Sequence, residues 1–159
     1  MSANSKRLNA IAEKGDDLAE RLLDFAVRAG AVVDALPKSR MGRHVAGQLV
    51  RCGTSPAPNY EEARAAESRA DFVHKLRICL KELRESRCWI RLAAKGNLLP
   101  KSRLTPLIDE ATQLCNIFGQ SIVTARAARN GRGVILPEEQ IEVATPESKN
   151  AKRKMQKEK

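Results

Sequence analysis

Two histidines and four cysteines are the side chains here with the most chemical range, and their spacing argues against catalysis. His44 and His74 lie in different helical segments. Neither stands in the HExxH or Glu-x-x-His spacing that sets two metal ligands on one helix face. Cys52, Cys79, Cys88 and Cys115 form no CxxC pair, and each falls inside a helical pattern. They read as small buried apolar residues in a reducing compartment, not as disulfides or zinc ligands. No Gly-rich phosphate loop, GxSxG elbow or dinucleotide fingerprint occurs, and Gly131-Arg132-Gly133 is too short to stand for one. The expectation is a non-enzyme with no catalytic residue, no metal and no cofactor.

Basic residues supply the remaining chemistry. The chain carries 29 Lys and Arg against 19 Asp and Glu, a net charge of +10, which suits a polyanionic partner. Arg77, Lys81, Arg84, Arg91 and Lys95 recur at spacings of four, three, seven and four and so share one helix face. Arg40, Arg43 and Arg51, with His44, share another. Guanidinium groups at helical spacing fit phosphates along a nucleic-acid backbone. Ion pairs with Glu82, Glu85 or a neighbouring subunit are the competing use. Residues 126–159 hold nine basic and five acidic residues and no aromatic side chain for base stacking.

Helices must position these groups. Aromatic residues are only 3% of a chain that is 42% hydrophobic, too few for a sandwich or barrel. The first helix runs from about Asp16 to Leu36, with Leu18, Leu22, Phe25, Ala29, Val32 and Leu36 as its seam, and Pro37 stops it. Ser39 caps the second, in which Met41, Val45, Leu49 and Cys52 share a side. Pro56 and Pro58 then predict a kink or a one-turn break before the pattern ends near Glu67. Ser68 and Asp71 form a capping box for a third helix, Arg69 to Lys95. Its seam is Phe72, Leu76, Cys79, Leu83, Ser86 and Ile90, and Gly96-Asn97 ends it. A fourth helix begins at Ser102 or Thr105, holds Pro106 in its first turn and continues to Arg129, with Leu104, Ile108, Ala111, Cys115, Phe118, Ile122 and Ala125 as its seam and Leu107 and Leu114 widening it. Short connections make neighbours antiparallel.

The segment Ser55-Pro56-Ala57-Pro58-Asn59-Tyr60-Glu61-Glu62-Ala63, with Ser68-Arg69-Ala70-Asp71-Phe72 and Leu80-Lys81-Glu82-Leu83 after it, resembles a known family. It is similar to the four helix bundle proteins encoded by intervening sequences in bacterial large-subunit ribosomal RNA genes. The likeness covers about residues 16–128. It implies an up-down bundle assembled as a ring-shaped homopentamer. A related branch, the accessory protein of diversity-generating retroelements, binds nucleic acid and partners a reverse transcriptase, and the high net charge suits that branch. The resemblance carries no catalytic residue. It makes Asn59 and Glu62 structural groups that cap or hold the broken second helix.

The sequence therefore predicts an all-α, antiparallel up-down-up-down four-helix bundle over residues 16–130. An N-terminal extension (1–15) precedes it and a disordered basic tail (131–159) follows. Phosphate contacts are expected at Arg40, Arg43, Arg51, Arg77, Lys81, Arg84, Arg91 and Lys95. Leu23 and Val27 on the first helix, and Ile78, Trp89 and Leu92 on the third, form second apolar faces. These either meet another copy or, on the third helix, are covered by the chain's own helices or by the Val134–Val143 strip. The expected partners are further copies of the chain, RNA or DNA, and a reverse transcriptase. No segment is apolar enough to span a membrane or serve as a signal peptide, so the expected location is the cytoplasm. The alternative is a structural or interaction oligomer, or an orphan ribosomal-RNA-insert product, without nucleic-acid binding.

Overall fold

A computed structural model of the protein describes the backbone of residues 3–127 and the side chains of residues 13–127. Five helices follow one another: α1 (Ala3–Ala35), α2 (Arg40–Thr54), α3 (Pro56–Arg64), α4 (Arg69–Lys95) and α5 (Lys101–Ala127). They make four rods, because α2 and α3 are one rod broken at Ser55. Each rod packs on two neighbours. α1 meets α2 with α3 on one side and α5 on the other, and α4 does the same. Among the described residues the diagonal pairs α1/α4 and α2/α5 do not meet backbone to backbone. The connections are short, so successive rods alternate in direction.

The core is the set of seams read from the sequence. Leu22, Phe25, Ala29 and Val32 face Val45, Leu49 and Cys52; Leu76, Cys79, Leu83 and Ile90 face Leu104, Leu114 and Phe118. Ser86 is the buried polar exception in the α4 seam. Its hydroxyl donates to the Glu82 carbonyl 2.8 Å away, so no donor is stranded. Met41 departs from its expected side: it is 51% exposed while Val45, Leu49 and Cys52 are sealed.

Local signals explain the ends of the rods. The Ser39 hydroxyl accepts from Gly42 N at 3.1 Å and the Ser68 hydroxyl from Asp71 N at 3.1 Å, as helix caps do. α4 spans Arg69 to Lys95 as read, but its stop is made by Asn97, not Gly96. Asn97 has φ 51°, Leu98 N donates to Ala93 O and Asn97 N to Ala94 O. That is the Schellman pattern with asparagine in the left-handed position.

Two starts differ from the reading. α1 begins at Ala3, so residues 3–15 belong to the first rod and Gly15 lies inside it. A single glycine costs a helix only about 1 kcal/mol, which the packed remainder of the rod absorbs. α5 begins at Lys101, which places Pro106 in its second turn. There the proline removes one donor near an end where donors are already unpaired. The expected end at Arg129 and the tail of residues 131–159 lie outside the described residues.

The break at Ser55 has its own brace. Pro58 cannot donate to Thr54, and the Asn59 amide nitrogen donates instead to Ser55 O at 2.9 Å and Ser55 Oγ at 3.1 Å. Glu62 pairs with Lys75 of α4, and Tyr60 meets Phe118 of α5 edge to face at 5.6 Å. Asn59 therefore holds the break, and Glu62 ties α3 to its neighbour.

Candidate functional site

Viewed along α4, the core seam occupies one side and the predicted cations the other. Arg77, Lys81, Arg84, Arg91 and Lys95 are all exposed. His74 and Cys88, also exposed, fill the remaining places in the same three-four repeat, Cys88 against the expectation that all four cysteines are buried. The ridge from His74 to Lys95 is about 31 Å long at 1.5 Å per residue.

Acidic groups lie off this ridge. On the α4 flank turned to α2 and α3, Lys75 meets Glu62, and Glu85 accepts from Arg51 at 3.5 Å and from the Trp89 indole at 3.3 Å. On the flank turned to α5, Arg87 donates to Thr112 at 3.5 Å. Further pairs join Arg64 to Asp16 and Glu61, and Arg21 to Glu110. Among the described residues, none of the five ridge cations pairs with a carboxylate. The two predicted stripes thus differ. Arg51 is drawn to Glu85, whereas among the described residues Arg40 has no acidic partner and Arg43 donates to the Lys38 carbonyl.

The topology also gathers charge that is scattered along the sequence. The head of the bundle, where α1 joins α2 and α4 joins α5, takes residues 34–47 and 87–103. These hold Lys38, Arg40, Arg43, Arg87, Arg91, Lys95, Lys101 and Arg103 against the single acid Asp34. The foot, residues 13–20, 59–75 and 118–127, holds eight acids (Glu13, Asp16, Asp17, Glu20, Glu61, Glu62, Glu67, Asp71) against five bases. Among residues 13–127 the protein is positive at one end and down the α4 ridge, and slightly negative at the other. No single sequence window contains this contrast, since each end is built from separated segments. Lys38, Lys101 and Arg103 escaped the stripe analysis for that reason.

The second apolar faces separate into two kinds. Trp89 is half-buried, its ring 5.4 Å from His44 at 77°, and both it and Leu92 pack on the core from the α2 side; Ile78 is half-buried on the same flank. Leu23 and Val27, by contrast, are 50% and 73% exposed. At the head, a groove of about 750 Å³ between α2 and the end of α4 is lined by Met41, Cys88, Arg91, Leu92, Lys95, Gly96 and Leu98.

Burial pushes the thiols of Cys52, Cys79 and Cys115 up, that of Cys79 to about 12. These three are poor nucleophiles and poor metal ligands at neutral pH. Among the described residues no three His, Cys, Asp or Glu side chains converge as a metal site, and no helix is long and apolar enough to cross a membrane.

The profile of the 23S rRNA-intervening sequence protein family matches residues 17–120. A crystal structure of a protein with unknown function from the S23 ribosomal protein family of Bacteroides thetaiotaomicron superposes with a TM-score of 0.62. It is 30% identical, over 65% of this chain and 96% of that one. No curated protein matches the chain significantly.

Proposed function

The chain belongs to the 23S rRNA-intervening sequence protein family, and from that premise we propose that it is a non-enzymatic nucleic-acid-binding bundle whose α4 ridge and basic head engage phosphates. One observation carries the reading. Arg77, Lys81, Arg84, Arg91 and Lys95 stand in a line and, among the described residues, none meets a carboxylate, while Glu85 of the same helix is turned to its flank. A self-complementary face between two copies would interleave both signs. A continuous cationic line instead displaces the counterions of a polyanion, which drives binding and makes it salt-dependent.

Fluorescence anisotropy with a labelled RNA or DNA duplex across a salt series tests this. Five to seven phosphate contacts give a slope of log K against log salt of about −4 to −6, and Arg91→Gln with Lys95→Gln reduces it by about 2. A flat salt response, or one unchanged by the double variant, sinks the reading. Leu23 and Val27 are proposed as the contact between copies, because aliphatic side chains exposed to this extent gain most from being covered. Light scattering on the purified chain should then give several times 17.5 kDa, five times if the assembly is a pentamer. A monomer mass at all concentrations overturns that part.

A further inference from the structure

The head groove combines two chemistries: Met41, Leu92 and Leu98 line it with apolar surface, and Arg91 and Lys95 add two exposed cations. Its complement is an aliphatic segment with acidic residues and no basic ones. The chain contains such a segment outside the described residues, Val134-Ile135-Leu136-Pro137-Glu138-Glu139-Gln140-Ile141-Glu142-Val143. Five aliphatic residues and three glutamates occur there without a lysine or arginine, in an otherwise lysine-rich terminus.

Reach decides which copy can seat Val134-Ile135-Leu136, the aliphatic start of the segment, in the groove. α5 leaves the head at Lys101 and ends at the foot at Ala127, about 39 Å away at 1.5 Å per residue. Six residues lie between Ala127 and Val134, and a fully extended chain over those seven steps spans about 24 Å. The aliphatic start of the segment therefore falls short of its own groove. Another molecule's segment is not tethered in this way.

We infer that the head groove of one copy takes the Val134–Val143 segment of a second copy, with Val134, Ile135 and Leu136 on Met41, Leu92 and Leu98 and glutamates on Arg91 and Lys95. The segment competes with phosphates for those two cations, so the link is tested without nucleic acid.

Cys88 makes the inference testable, because it lines the groove and is the exposed cysteine while Cys52, Cys79 and Cys115 are buried. A full-length donor carrying Cys88→Ser and Gln140→Cys is mixed with a nitrogen-15-labelled full-length acceptor that keeps Cys88. After mild oxidation, peptide mass spectrometry reads which thiols have joined. The expected product links position 140 of the unlabelled chain to Cys88 of the labelled one. Arg91→Glu with Lys95→Glu in the acceptor lowers its yield about tenfold at unchanged helical circular dichroism. The inference is overturned by absence of that product or by a yield indifferent to the charge reversal. It is equally overturned if a chain carrying both thiols joins them within one molecule.

Discussion

Gly42 shows how one residue can depend on a turn it does not form. A Cβ at this position would overlap the Pro37 carbonyl oxygen, because the chain doubles back tightly between α1 and α2 while Ser39 caps the new helix. Backbone cannot move aside as a flexible side chain can. Gly42→Ala should therefore destabilise the protein by about 2 kcal/mol, read as a lower midpoint in urea, although alanine is the better helix former. Cys79 makes a prediction of a different kind. Burial raises its thiol from 9.0 to about 12, so the folded state holds the proton more tightly than the unfolded chain. The resulting stability is complete below pH 9 and is lost as pH rises from 9 towards 12, at up to about 1.4 kcal/mol per pH unit. Cys52, Cys115 and Tyr60 are raised by burial as well and act in the same direction. Urea midpoints measured from pH 8 to 11 should fall, and fall less steeply for Cys79→Ala.

At the scale of the helices, the seams were legible because a helix repeats every 3.6 residues and the core demands that repeat. Leu22, Phe25, Leu76, Leu83 and Phe118 could be placed from spacing alone. Lateral contacts could not, since they depend on which rods become neighbours. The α1/α5 side shows this. Arg21 meets Glu110 with Nε on Oε1 at 2.6 Å and Nη2 on Oε2 at 3.1 Å, and Nη2 also reaches Gln113 Oε1 at 2.7 Å. Nearly ninety residues separate the partners, and no local pattern announces the pair. Two-pronged geometry places it at the strong end of surface pairs. Arg21→Ala should cost about 1 kcal/mol in chemical denaturation, and Glu110→Gln less, because an amide still accepts one of the bonds. The fate of Trp89 was undecided for the same reason. Its spacing marks a second apolar face, but only the position of His44 across α2 shows what occupies part of that face.

Over the whole molecule, the uneven charge is the property that no stripe analysis could supply. The sequence assigns +10 to the chain; among residues 13–127 the fold gathers the excess at one end and one ridge. An end-biased field orients a rod before it touches a polyanion. Association rates should thus fall more steeply with salt than dissociation rates rise, which stopped-flow mixing with labelled nucleic acid can measure. Reversing Lys101 and Arg103 to Glu, at the head but off the ridge, should slow association severalfold and leave the slope from the ridge contacts largely intact.

The break at Ser55 also has a dynamic side. α3 has nine residues, fewer than the roughly 12–15 that hold a helix together alone, and its ties are Asn59, Glu62 and Tyr60. Unwinding that starts in α3 meets two residues without amide hydrogens, Pro56 and Pro58, before it reaches α2. Helical cooperativity passes from one hydrogen bond to the next, so the gap behaves as an expansion joint. The short panel can open and reseal while the long one stays zipped. Hydrogen exchange should accordingly find the amides of residues 59–64 exchanging as one early group, well ahead of residues 45–52.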